Sequence, residues 1–270
     1  MPWTPLISCL GLEYHRGMSL VEQYDGFLID IDGVVLLGED PLPGAVEALG
    51  KLAGSGRPYA FVTNNPRLSG DEHAELLREK GIVVTDGQVV TSARTLISLV
   101  LEGPGEGSPA VVVGTDSFRR QVEEAGIEPV PLDEWRRAES VMVSGHEDFS
   151  YPELKAAAMA AREGALLGAT GRDPTMPMPD GPWPGTGSIL AAVETASGVE
   201  ATVTGKPAPA IFEAGLDLLG CPERVAMVGD RPDSDIAGAK AVGIAGILVS
   251  AGSDPGGADH LIPDLAGLVS

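Results

Sequence analysis

Cysteine is almost missing from this chain. Cys9 and Cys221 are its only two, and neither sits in a Cys-x-x-Cys or other metal-ligand spacing. That argues against a disulfide framework and against a thiolate metal site, and it fits a cytoplasmic protein. Basic residues are also scarce: 18 Lys and Arg stand against 39 Asp and Glu, a formal charge of −21. Such a field repels phosphate backbones and anionic lipid, so neither nucleic acid nor membrane is an expected partner. An anionic substrate would need a local positive site. Long apolar runs are missing too, since none approaches the roughly 18 residues of a membrane span. The first residues, "MPWTPLISCLGLEYHRG", lack the basic flank and apolar core of a secretion signal. Residues 1–19 read as an N-terminal extension with Met18 as an alternative start. There is no internal repeat, and His15, His73, His146 and His260 are scattered in no metal spacing, so they read as surface residues.

What the chain does have is enough apolar content, 43% over 270 residues, for one large or two moderate domains. Short apolar runs alternate with amphipathic segments, the βαβ pattern of an α/β protein with a Rossmann-like open parallel sheet. The expected strands are 27–31, 59–62, 110–113, 141–143, 166–169, 201–203, 225–228 and 244–249. Helical patterns such as "SGDEHAELLREKG" and "YPELKAAAMAAREG" lie between them, and most end at glycine. Residues 170–188, "TGRDPTMPMPDGPWPGTGS", are too dense in proline for a helix or an interior strand. Both an interdomain linker and a rigid loop over a site suit them. They close a block opened near Gly81 that holds its own strands and helices. The expected division is therefore 20–81 for the first part of a core, 82–183 for an inserted α/β domain, and 184–270 for the rest of the core.

Polar residues of an unusual kind leave four of the expected strands. "FLIDIDG" ends in Asp30 and Asp32, which strand alternation would place on one side about 7 Å apart. Two carboxylates held together cost free energy unless a cation or a shared proton joins them. Asp-x-Asp-Gly with Gly33 is also good turn chemistry. "FVTNN" delivers Thr63, Asn64 and Asn65. "VTGKP" delivers Lys206, which lacks the Gly-x-x-x-x-Gly-Lys frame of a nucleotide-binding loop. "MVGDRPDSDI" delivers Asp230 and Asp235. Ligands of open α/β sheets lie outside the carboxyl ends of the strands, so these four segments are expected to form one pocket.

In these four segments, in order, the sequence resembles the haloacid dehalogenase superfamily, and within it the phosphatases similar to NagD and p-nitrophenyl phosphatase. The resemblance implies an inserted cap over the active site, which the roughly 140 residues between Asn65 and Lys206 accommodate. It also implies Asp30 as a nucleophile that forms an aspartyl-phosphate, and Asp32 as the acid and base that handles the proton. Mg²⁺ would be held by Asp30, Asp230, the backbone of Asp32 and nearby Asp235. Gly33, Thr63, Asn64, Asn65 and Lys206 would bind phosphate. In the cap the family shows Ala-Thr-Asn-x-Asp; here "ATGRD" has Gly171 for the asparagine and retains Asp173, the expected substrate contact. Arg172 beside it is read either as a substrate contact or as an exposed loop arginine. The proline-rich stretch looks most like an actinobacterial branch that hydrolyses glycerol phosphate. A small phosphorylated metabolite is the implied partner, with 2-phosphoglycolate, nucleotide and sugar phosphates as rival substrates. The cap of such proteins often forms a homodimer.

Overall fold

The computed structural model describes residues 18–38, 40–178 and 181–270. Most of the expected N-terminal extension, with Cys9 and His15, thus lies outside the described residues. Six strands form one parallel sheet in the order His260–Ile262, Ala245–Val249, Val225–Gly229, Gly26–Ile29, Tyr59–Thr63, Val89–Thr91. Side chains alternate between its faces. Phe27, Ile29, Phe61 and Val228 pack with the helices Ala45–Gly54 and Gly70–Glu79, whereas Leu28, Ala60, Val62 and Met227 pack against the helix Pro209–Leu218. Burial on both faces is why these strands read as continuous apolar runs. The order reverses between Gly26–Ile29 and Val225–Gly229, so a crevice opens beyond their carboxyl ends.

A second parallel sheet has the order Thr202–Val203, Leu166–Ala169, Ser140–Val143, Pro109–Val113, Glu128–Pro129. Val111, Val113, Val141 and Val143 face the helices Tyr151–Arg162 and Thr186–Ser197. Val112 and Met142 face the helices Ser92–Glu102 and Asp116–Glu124. The chain leaves the first sheet at Thr91 and returns after Val203. The expected boundaries at 82 and 184 therefore both fall too early, because Val89–Thr91 pairs into the first sheet and Thr202–Val203 into the second. The two crossings run side by side, with the Thr204 hydroxyl donating to the Ser92 carbonyl at 3.4 Å.

The proline-rich stretch is not an extended linker but carries regular structure. Thr175–Met178 and Gly181–Pro184 pair as an antiparallel hairpin separate from both sheets, and a helix begins at Thr186. A two-stranded ribbon has only edges, where proline's missing N–H leaves no ladder bond unmade. Among the described residues, no helix is long and apolar enough to cross a membrane.

The surface reading of the histidines fails for two of them. His73 is 2% exposed, on the apolar side of Gly70–Glu79 with Ala74 and Leu77. The side chain of His146 is 8% exposed and packs edge-on against Phe149. Burying an uncharged imidazole is tolerable where its N–H finds an acceptor.

Candidate functional site

The strand 27–31 expected from sequence ends at Ile29, and the chain turns there. Asp30 still continues the pairing, its N–H donating to the Val228 carbonyl at 2.9 Å, but its side chain turns inward and is buried. Asp32, beyond the strand, is exposed. Strand alternation therefore does not set the orientation of the pair: Asp30 is buried and Asp32 exposed, although the Asp32 charge still adds to the rise of the Asp30 carboxyl. Asp30 joins Asp230 and Asp235, with one carboxylate oxygen from each lying within 4.8 Å of the others. Asp32 instead accepts from the Thr63 hydroxyl at 3.1 Å.

Lys206 reaches into this acidic centre. Its side chain is 3% exposed, and Nζ lies 2.6 Å from Asp30 Oδ1 and 2.7 Å from Asp235 Oδ1. The third donor reaches the Val62 carbonyl at 3.3 Å. Burial alone would push the ammonium down, but Asp235 and Asp30 outweigh it and hold the group above its usual range. Burial pushes Asp30 up while Lys206 pulls it back and Asp235 adds to the rise. Burial, then Asp235, raise Asp230 to about 6 against the pull of Lys206. Three carboxylates and one ammonium leave an excess of buried negative charge.

The donor set suits a hard divalent cation. Asp230 Oδ1 is buried and has no hydrogen-bond partner among the described residues, and carboxylate oxygens are the ligands that Mg²⁺ prefers. Asp235 presents its other oxygen to the Arg231 N–H at 3.0 Å, which fixes its orientation. Gly33 has φ +84°, and a Cβ there would run into the Asp230 carboxylate, with Cγ only 2.8 Å away. Glycine is what lets this turn approach the acidic cluster so closely.

Thr63, Asn64 and Asn65 build a turn whose side chains are already committed. The Thr63 hydroxyl accepts from the Asn65 N–H at 3.0 Å, and Asn65 Oδ1 accepts from the Arg67 N–H at 3.1 Å. Asn64 accepts the Lys206 N–H at 2.7 Å and donates to the Lys206 carbonyl at 3.0 Å and to Asp173 at 3.2 Å. With both amide protons committed, the Asn64 side chain is a strut for Lys206. Gly205 permits that closeness, since a Cβ there would meet the Thr170 carbonyl and lie 2.7 Å from Asn64 Oδ1.

Asp173, expected as a substrate contact, is held by Asn64 and, at 3.2 Å, by Arg231, so it ties the inserted domain to the core. Arg172 is taken up by Glu194 through two bonds of 2.7 and 2.8 Å, which leaves no support for a substrate contact. Sequence reasoning missed Arg231 and Arg67. Arg231 adjoins Asp230 within "GDRPDSDI" and was legible there as the residue flanking the aspartate. Arg67 bonds Glu147 at 2.8 Å and touches the Met176 sulfur at 3.6 Å. Glu147 and Met176 line a cavity of about 320 Å³ with His146, Phe149, Trp183 and Ile189. Trp183 thus lines a cavity within the inserted domain.

Residues 27–128 match the haloacid dehalogenase-like hydrolase model, and residues 203–266 match an HAD-hydrolase-like model. The chain is 38% identical to the D-glycerol 3-phosphate phosphatase of Mycobacterium tuberculosis over 87% of its own length, and spans 65% of that relative. It is also 38% identical to human chronophin over 88% of its length and 86% of chronophin's. The crystal structure of the Mycobacterium tuberculosis glycerol phosphate phosphatase in complex with magnesium superposes with a TM-score of 0.83 and 35% identity, covering 93% of this chain and 78% of the other. With both halves of the core matched and the acidic centre at their junction, the chain belongs to the haloacid dehalogenase-like hydrolase family.

Proposed function

We propose that this protein is a Mg²⁺-dependent phosphatase of small phosphomonoesters, glycerol 3-phosphate foremost. One observation carries the reading: Asp30, Asp230 and Asp235 converge within 4.8 Å while Lys206 pairs with two of them. The 38% identical relative is a D-glycerol 3-phosphate phosphatase, which supports the substrate, and the magnesium complex of the superposed phosphatase supports the metal.

Asp30 is the nucleophile. Its Oδ forms a bond to phosphorus as the ester P–O bond breaks, and the leaving alkoxide takes the proton of Asp32. Water then attacks the aspartyl-phosphate, giving a proton to Asp32 as the Asp30–phosphorus bond breaks. Burial would keep Asp30 protonated and inert; Lys206 opposes that and also neutralises charge gathering on the phosphoryl oxygens. Mg²⁺, when held by Asp30, Asp230 and Asp235, supplies electrostatic stabilisation of the phosphoryl group. The cation and Lys206 together provide the local positive site that the −21 background lacks.

Phosphate release from a panel of glycerol 3-phosphate, 2-phosphoglycolate, sugar and nucleotide monophosphates, with Mg²⁺ or EDTA, tests this reading. Turnover that requires Mg²⁺ and is lost in Asp30→Asn supports the phosphatase, and the ranking picks the substrate. No release from any ester by folded protein refutes it. A cytoplasmic location and a homodimer through the inserted domain complete the proposal; sedimentation at two concentrations checks the dimer.

A further inference from the structure

Beneath the Thr63–Asn65 turn lies a histidine that this chemistry does not use. His73 is nearly solvent-free, and its Nε2 lies 3.3 Å from the Asn65 carbonyl. A carbonyl only accepts, so Nε2 carries the proton. Nδ1 is buried with no partner among the described residues. A second proton there would leave a buried donor unmet, so the ring stays neutral. Burial accordingly holds His73 below the usual histidine range.

From this ring a chain of bonds runs toward Asp32. Asn65, fixed at its carbonyl by His73, donates its N–H to the Thr63 hydroxyl at 3.0 Å. That hydroxyl has one proton, and with the Asn65 N–H filling a lone pair it donates to Asp32 Oδ2 at 3.1 Å. A leucine or phenylalanine would fill the same space on this helix face without desolvating a polar group. It would leave the Asn65 carbonyl without this donor.

We propose that His73 is a positioning residue for proton delivery to the leaving group, holding the turn so that the Thr63 hydroxyl aims the Asp32 carboxyl. The proposal rests on the reading of Asp32 as the acid. An alkoxide needs that proton to leave, whereas p-nitrophenolate does not, so the two kinds of ester separate proton delivery from everything else.

The test compares kcat/KM for p-nitrophenyl phosphate with kcat/KM for the alkyl phosphomonoester that the panel ranks first. The proteins are wild type, Asp32→Asn, His73→Leu and His73→Gln. Asp32→Asn is expected to lose about a hundredfold or more on the alkyl ester and far less on the aryl ester. His73→Leu should lose about tenfold on the alkyl ester and little on the aryl ester, as misplacement of a catalytic group does. His73→Gln, whose amide N–H can serve the Asn65 carbonyl, should recover most of that loss. The ratio of the two rates does not depend on how much protein is folded. If His73→Leu yields no soluble protein, His73→Asn takes its place, its amide being too short for the carbonyl. Equal losses on both esters in the His73 variant, with the Asp32→Asn ratio shifted, overturn the role of His73 alone. An unshifted ratio in Asp32→Asn overturns the reading of Asp32 and the proposal with it.

Discussion

Replacing Lys206 by methionine keeps the length of the side chain and removes its charge. In the wild type all three ammonium donors are used, on Asp30, Asp235 and the Val62 carbonyl. The side chains of Asp30 and Asp235 are 7% and 0% exposed, so water cannot take over. Breaking a buried ion pair by removing one partner costs about 3–5 kcal/mol, because the remaining charge is left uncompensated. In the variant these carboxylates hold protons more tightly folded than unfolded. Such a group contributes stability at low pH that is lost as pH rises, so the variant regains ground on the wild type in acid. Urea unfolding without added metal, at pH 8 and pH 5.5, should show a deficit of about 3–5 kcal/mol at the higher pH, clearly narrowed at the lower. A deficit under about 1 kcal/mol at pH 8, the scale of an exposed pair, would refute the charge balance drawn here. So would a deficit that does not change with pH.

Asp30→Asn should release no phosphate from any ester while retaining the wild-type circular dichroism, and measurable Mg²⁺-dependent turnover would remove Asp30 as nucleophile. Gly33→Ala forces a Cβ toward Asp230 from a φ of +84°; about 1–2 kcal/mol of backbone strain is expected, with a clear rise in the Mg²⁺ concentration giving half-maximal activity. Because burial lowers the proton affinity of His73, its stabilising contribution is complete above the unfolded value near 6.5 and is lost as pH falls below it. His73→Gln should therefore lose less stability than wild type between pH 7.5 and 5.5 in paired urea titrations. Arg120→Ala, which breaks a pair with Glu72 whose side chains are 53% and 39% exposed, should change stability by less than about 1 kcal/mol by the same method.

Much of this molecule follows from local pattern. Strands buried on both faces are bound to read as apolar runs, so Tyr59–Thr63, Pro109–Val113 and Val225–Gly229 were legible within a residue or so at each end. The placing of Asp30, Thr63, Lys206 and Asp230 at strand exits was legible too, since a polar residue ending an apolar run marks where the chain leaves the core. Val89–Thr91 was not among the expected strands, being too short to show a period; 201–203 was, but whether either joins one sheet or the other depends on partners distant in sequence. That is why the domain boundaries expected at 82 and 184 shifted.

The sequence by itself determined an α/β protein with an inserted block, a strongly negative field, and the cast of acidic and basic residues at the site. Tertiary structure alone decided their pairing. It buried Asp30 with Asp230 and Asp235 and left Asp32 in the open, engaged Asn64 and Asp173 in joining the domains, and tucked His73 under the Thr63–Asn65 turn. The physical reason is one of range: side-chain periodicity records whether a residue is buried, whereas charge compensation and hydrogen-bond partnership depend on which segments meet, and here those segments lie up to roughly two hundred positions apart.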